Sequence, residues 1–160
     1  MEEIFLSLGS NLGDKSLNMK KALGLMEERI GSLEAISSVF TSESWGFEGE
    51  PFENMVVKYA TKLAPEDLLK EVLAVEEILG RTRSEDGYSN RIIDIDIISY
   101  GDWVIKSKQL QIPHPHLHKR NFVLQPLVEI DPEWIHPVFL KSAKELAEES
   151  TDKIVVKCLK

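Results

Sequence analysis

Cysteine is almost missing from this sequence: Cys158 is the only one in 160 residues. One thiol makes neither an internal disulfide nor a multi-cysteine zinc site, so a reducing cytoplasm is the expected compartment. A chain of this length buries roughly two-thirds of its unfolded surface without such staples. Long hydrophobic runs are lacking too. No stretch approaches the roughly 20 apolar residues that span a bilayer. The start, Met1-Glu2-Glu3-Ile4-Phe5-Leu6, has neither the basic segment nor the apolar centre of a signal peptide. Net positive charge is the third absence. With 27 acidic and 19 basic side chains the formal charge is −8, which argues against sequence-independent binding to nucleic acid or to an anionic membrane. Neither Gly-x-x-x-x-Gly-Lys-Ser/Thr nor Gly-x-Gly-x-x-Gly occurs, so a nucleotide here is to be held by side chains and metal, not by a glycine cradle. No repeat, low-complexity tract or Gly/Ser linker divides the chain, and a single domain over 1–160 is expected.

What is present reads as alternating elements. Glu3 to Leu8 is a short apolar strand ended by Gly9-Ser10-Asn11-Leu12-Gly13. Asp14 to Ile30 has helical spacing, with Leu17, Leu23, Met26 and Ile30 near a 3.6 period and Gly31 as its stop. Leu33 to Thr41 and Asn54 to Leu63 read as strands flanking a loop, Ser42 to Glu53. Pro65-Glu66-Asp67 starts a helix that runs to Gly80. A polar loop, Arg81 to Arg91, leads to a strand from Ile92 to Tyr100. The order is βαββαβ, a ferredoxin-like α+β plan with an antiparallel sheet and two helices on one face. A C-terminal extension follows. Its expected elements are a hairpin of Trp103–Ile105 with Gln109–Ile112, helices over His118–Leu127 and Ser142–Glu149, and a last strand over Ile154–Cys158.

Charge is unevenly spread. Four of the five arginines, Arg81, Arg83, Arg91 and Arg120, lie between positions 81 and 120, where seven basic residues face five acidic ones. Arginine presents a planar fork of donors suited to bidentate phosphate contacts. Any one of these arginines is accounted for by a solvated loop; their concentration favours phosphate. Within the same segment, Ile93-Asp94-Ile95-Asp96-Ile97 puts two carboxylates on one face of a strand and three isoleucines on the other. An Asp-x-Asp alone is often a solvated acidic face. Between arginines it reads as a hard-oxygen site for Mg²⁺.

His114, His116 and His118 alternate among prolines. Zinc is one reading of them, without a cysteine or glutamate at the usual spacing. A phosphate-contacting histidine beside Arg120 is another, and plain exposure a third. His136, beside Pro137, reads as structural. Trp45, Phe47 and Phe52 share a glycine-containing loop with Asn54 just after it, and Phe122 follows Arg120. Such aromatics either pack in the core or stack on a flat heterocycle whose polar edge an amide reads.

Several strings together resemble a known family. They are Gly9-Ser10-Asn11-Leu12-Gly13, Glu76 with Leu79-Gly80-Arg81-Thr82-Arg83, Arg91-Ile92-Ile93-Asp94-Ile95-Asp96-Ile97, Ile112-Pro113-His114-Pro115, and Arg120-Asn121-Phe122-Val123-Leu124-Gln125-Pro126-Leu127. In this order and spacing they resemble the 6-hydroxymethyl-7,8-dihydropterin pyrophosphokinases of folate biosynthesis, over about residues 3 to 137. One departure stands out. Where the family usually has Trp/Tyr-Gly-Pro-Arg, this chain has Tyr88-Ser89-Asn90-Arg91, and Gly87 replaces an arginine found in some members.

The resemblance implies the ferredoxin-like fold and transfer of pyrophosphate from ATP to the pterin hydroxymethyl group, with release of AMP. It implies two Mg²⁺ on Asp94 and Asp96, and Arg81 and Arg91 as the catalytic cations. Arg83, His114 and Arg120 match phosphate contacts, and Glu76, Ile97 and Gln111 the nucleoside side. Phe122 matches an aromatic that stacks on the pterin, Phe52 its partner, and Asn54 the amide at the pterin edge. Thr41, Trp45 and Gly46 match the wall of that pocket. The partners implied are small molecules only, with no nucleic acid and no membrane, and a monomer is expected. The loops Ser42–Glu53 and Arg81–Ser89 are expected to close as lids and exclude water.

Overall fold

The first strand, β1 (Glu2–Ser10), is apolar on both sides, with Ile4, Phe5, Leu6 and Leu8 all buried. A strand of that kind belongs in the middle of a sheet covered on two faces. In the computed structural model, which describes residues 1–42, 51–80 and 92–159, β1 is followed by α1 (Lys15–Arg29), β2 (Gly31–Ile36), β3 (Val39–Ser42) and β4 (Phe52–Thr61). Then come α2 (Pro65–Ile78), β5 (Asp94–Tyr100), a small hairpin of β6 (Ile105–Lys106) and β7 (Gln111–Ile112), a 3₁₀ turn (Leu117–Lys119), α3 (Asn121–Ile130), α4 (Ala143–Glu149) and β8 (Lys157–Leu159). The spatial order of the main sheet is β5-β1-β4-β3-β8, with β2 also on β4 and every pairing antiparallel. With β2 and β3 as halves of one strand, this is the ferredoxin-like arrangement expected from the sequence. Among the described residues, no helix is long and apolar enough to cross a membrane.

The single strand expected over 33–41 is two. Ile36 faces Val57 and Phe40 faces Asn54, so this side advances four residues while β4 advances three. Ser37 and Ser38 absorb the extra residue. Ser37 donates its N–H to Val56 O and accepts from Val56 N with its hydroxyl, and Ser38 N donates to Glu129 Oε1. Asp14 caps α1 by accepting from Leu17 N. Gly31 is obligatory at the start of β2, since a Cβ there would lie 1.9 Å from Ala60 O.

Both faces of the sheet are covered, not one. On the first face α1 and α2 bury Met26, Leu68, Val72 and Val75 against Leu6, Leu8, Val57 and Ile95. On the second, α3 and α4 bury Val123, Leu124, Leu127 and Leu146 against Phe5, Val56 and Ile98. Alternation along β5 keeps Ile93, Ile95 and Ile97 on the first face and puts Ile98 on the second with the aspartates. A bulge then resets the phase: Leu6 faces Ile97 and Phe5 faces Ser99, so one residue is extra and Tyr100 returns to the first face opposite Ile4. The helix expected over 118–127 is displaced to Asn121–Ile130, after the separate 3₁₀ turn. Other elements shift by a few residues at their ends: the last strand is Lys157–Leu159, and the hairpin keeps only two residues on each side.

His136 is a structural residue, as its position beside Pro137 suggested. Its Nδ1 accepts from both Val138 N and Phe139 N at 3.1 Å, and the Phe139 ring stacks on it at 4.2 Å. Burial, and secondarily the nearby His118, push its pKa down from 6.5 to about 4. The ring is therefore neutral in the folded protein and takes up a proton first in the unfolded chain. Its contribution is complete above pH 6.5 and is lost as the pH falls toward 4. His136→Asn, which keeps an acceptor near the Nδ1 position and cannot titrate, is expected to melt lower at neutral pH but to lose less stability between pH 6.5 and 4. Thermal melts of both proteins across that range check it, and parallel pH curves would contradict it.

Candidate active site

Past the point where α3 covers the second face, three adjacent strands leave a bare floor. Register dictates what stands on it. Gly9 of β1 faces Asn54 of β4 on one side and Asp94 of β5 on the other; Ser7 in the next row faces Val56 and Asp96. Side chains two apart share a face, so both carboxylates, Asn54 and Phe52 all stand on this floor. On this face β1 reads Phe5, Ser7, Gly9, diminishing toward the site. A Cβ at Gly9 would meet Asn54 Oδ1 at 2.9 Å, so the glycine lets the amide lie across β1. Asn54 is 3 % exposed, and its Nδ2 donates to Ser42 Oγ at 2.9 Å.

A cavity of about 810 Å³ opens on this floor. Leu69, Val72, Leu73 and Glu76 of α2 form one wall, and Lys108, Gln109 and Gln111 of the β6–β7 hairpin another. Glu76 is 3 % exposed and its Oε2 accepts from Ile95 N at 2.8 Å. It thus takes up an N–H of an edge strand that β1 pairs on one side only. A little further along, His114 N donates to Ile98 O. Ile97 lies between these two anchors and lines the cavity.

Opposite charge gathers around Asp96. Arg120 Nη1 is 3.6 Å from its Oδ2 and His114 Nε2 is 4.0 Å from its Oδ1, both beyond hydrogen-bond length. Arg120 and Asp96 are each about one-third exposed (33 %), so their pairing is worth ~1 kcal/mol or less and is easily displaced by an anion. The guanidinium also sits 5.5 Å from the Phe122 ring centroid, in cation–π contact. His114 Nδ1 accepts from His116 N, which leaves the proton on Nε2, pointing at the site. Burial, with the Arg120 and His116 charges behind it, pushes the His114 pKa down to about 4. At neutral pH it is an uncharged N–H donor.

The three histidines part company. His114 faces Asp96, His116 lies at the cavity lining, and His118 sits edge-on to Phe139. Among the described residues no three His, Cys, Asp or Glu side chains form a group able to hold a metal by themselves. Asp94 and Asp96 remain the hard-oxygen pair, with small residues, Gly9 and Ser7, beside them. Two carboxylates with room for solvent or phosphate oxygens suit Mg²⁺, which takes one or two protein carboxylates and completes its octahedron with other oxygens.

The cavity gathers Glu76, Ile97, Gln111, His114 and Arg120 together with Phe52, Asn54 and Phe122, and Asp94 and Asp96 are also in its lining. Thr41 is not in it. It faces Glu53 across the β3–β4 pair, and the neighbouring Ser42, opposite Phe52, lines the cavity instead. Arg81, Arg83, Arg91, Trp45 and Gly46, with the greater part of both expected lids, lie outside the described residues. Ser7, Gly9, Ser42, Lys108, Lys119 and Asp152 also line the site and had no assigned role in the sequence. The lysines were legible there as part of the basic segment; Asp152 was not.

Comparison with known proteins agrees with this geometry. The family model for 7,8-dihydro-6-hydroxymethylpterin-pyrophosphokinase (HPPK) matches residues 5–132. A 2-amino-4-hydroxy-6-hydroxymethyldihydropteridine pyrophosphokinase of Aquifex aeolicus is 44% identical over 154 residues, 96% of this chain and 95% of that protein. One of Porphyromonas gingivalis is 41% identical over 141 residues, covering 86% and 95%. Among solved structures, a Plasmodium falciparum HPPK-DHPS crystal structure with SDX-DHP superposes with a TM-score of 0.76 at 18% identity, over 93% of this chain. The present chain spans 43% of that longer one, and at this identity the likeness concerns the fold.

Glu76 gives the site its first test. Glu76→Ala leaves the buried Ile95 N–H without this acceptor and is expected to cost about 1–3 kcal/mol in urea denaturation. Glu76→Gln, which keeps an oxygen in place, is expected to cost clearly less; equal losses would remove the role of the hydrogen bond.

Proposed function

The chain belongs to the 7,8-dihydro-6-hydroxymethylpterin-pyrophosphokinase family, and on that premise we propose that it transfers the pyrophosphoryl group of ATP to 6-hydroxymethyl-7,8-dihydropterin, releasing AMP, as a step in folate biosynthesis. One observation carries the reading: a carboxylate pair, a phosphate-seeking arginine and an aromatic–amide cluster converge on a single cavity. The hydroxymethyl oxygen attacks the β-phosphorus of ATP and the α–β bridge breaks. The bridging oxygen leaves with AMP, and the hydroxyl proton is lost. Such a reaction asks the protein for in-line positioning and charge neutralisation more than for covalent help.

Asp94 and Asp96 are the residues that would hold two Mg²⁺, which neutralise phosphate charge when bound. Arg120 exchanges its weak partner Asp96 for phosphate oxygens. His114, neutral in the empty site, donates Nε2–H to the same anion. Phe122 and Phe52 stack on the pterin and Asn54 reads its polar edge, with Ser42 holding the amide. Glu76, Ile97 and Gln111 form the nucleoside side. From the family resemblance, Arg81 and Arg91 stabilise charge on the departing α-phosphate and Arg83 binds phosphate, while Trp45 and Gly46 wall the pterin and Ser42 takes the place expected of Thr41. The site is built from one chain, which supports a monomer, and the single thiol supports a cytoplasmic enzyme.

Incubation with ATP, Mg²⁺ and the pterin is expected to yield AMP in step with pterin consumption, and chelation with EDTA to stop it. AMP that forms equally well without pterin would overturn the substrate assignment. Asp94→Asn and Asp96→Asn are each expected to lower kcat by more than the ~100-fold typical of losing an outer-shell partner, with the fold intact by circular dichroism. Gly9→Ala, by pushing Asn54 aside, is expected to raise the pterin KM about tenfold while the ATP KM stays within about twofold. An unchanged pterin KM would detach Asn54 from pterin recognition.

A further inference from the structure

Helix α3 begins without a cap of its own. Its N-cap residue is Arg120, whose side chain makes no capping hydrogen bond, although Ser, Thr, Asp and Asn are the residues that serve there. The missing acceptor arrives from 31 positions away. Asp152 Oδ2 accepts from Asn121 N at 2.9 Å, and its Oδ1 accepts from Ile154 N at 3.0 Å. The Asn121 side chain completes the joint: its Nδ2 donates to the carbonyls of Asp152 and Ile154, and its Oδ1 accepts from Ser150 Oγ at 2.8 Å. Ser150 Oγ in turn accepts from Asp152 N. Segment 150–154 is thus folded around the one residue between Arg120 and Phe122. It lies beyond residues 5–132, where the family model matches.

We propose that Asp152 is a positioning residue that caps α3 in place of residue 120, and so orients Arg120 and Phe122 in the site. The side chain at an N-cap cannot both fold back onto the first turn and reach a ligand. Supplying the cap from the C-terminal segment frees position 120 for an arginine turned toward Asp96. The carboxylate also favours the positive end of the helix dipole. With its amide engaged by segment 150–154, Asn121 serves the joint and Phe122 alone of the pair faces the substrate. The inference rests on the pyrophosphokinase reading for its kinetic consequence, not for the cap itself.

The test compares the full-length protein with Asp152→Ala and Asp152→Asn, below the melting temperature of each. In Asp152→Ala, hydrogen exchange of the Asn121 amide is expected to accelerate about tenfold, while that of Leu124, a turn deeper, is unchanged. Its pterin KM is expected to rise about tenfold and its kcat to fall. Asp152→Asn keeps an oxygen for the Asn121 N–H and is expected to return both constants to within about threefold of wild type. Unaltered exchange at Asn121 would overturn the cap. A lowered melting temperature with unchanged KM and kcat would reduce Asp152 to a fold element and overturn the positioning role. Equal defects in both variants would make Asp152 a substrate contact and overturn it as well. If the wild-type protein forms no pterin-dependent AMP, the parent reading fails, and the exchange measurement still decides the cap.

Discussion

The register of β1 against its two neighbours is the constraint from which the site follows. Because strand side chains alternate, the pairing Asp94–Gly9–Asn54 fixes at once which residues meet on the floor and which enter the core. A slip of one residue in β5 would expose Ile93, Ile95 and Ile97 and drive both carboxylates into the first-face core. That core, with Leu6, Leu8 and Val57 fully buried, holds the register with far more free energy than the site itself supplies. Chemistry is carried here by a geometry that packing enforces.

The second face divides along its length. Phe5, Val56 and Ile98 are covered by α3 and α4, and beyond them Ser7, Gly9, Asn54 and the aspartates are open to ligand. The same helix that seals the apolar half carries Arg120 and Phe122 at its start. Helix and floor therefore meet at the boundary between the dry and the wet halves. There, Asp96 and Arg120 pair only loosely, and a neutral His114 adds a donor without adding charge. A loosely paired guanidinium and a neutral N–H donor fit the demands of polyphosphate binding.

Much of this was legible in the sequence because it is local. The alternation of Ile93 to Ile97 placed the carboxylates, Pro65-Glu66-Asp67 placed α2, and the basic segment supplied Lys108, Lys119 and Arg120 to the cavity lining. What was hidden is non-local. The second helical layer was missed although Phe5, Val56 and Ile98 signalled a two-sided sheet, since each stands in an apolar run that periodicity alone cannot assign to a face. The extra residue at Ser37–Ser38 separates β2 from β3, and in the paired β3 it is Ser42, opposite Phe52, that faces the cavity, with Thr41 turned away. Gly9 read as a turn former, and only its closeness to Asn54 shows why a side chain is excluded. Asp152 gave no signal, because its partner lies 31 residues upstream.

That separation also orders events in time. A chain made from its N-terminus presents β1 to β5 and the first helical layer well before residue 152, and α3 emerges with its first turn still uncapped. The three strands of the carboxylate floor, β1, β4 and β5, pair with one another without segment 150–154, whereas β8 joins the sheet at β3 only after it. Arg120 and Phe122 acquire their final orientation only when that segment folds back, so the protein becomes a folded body before it becomes a competent one.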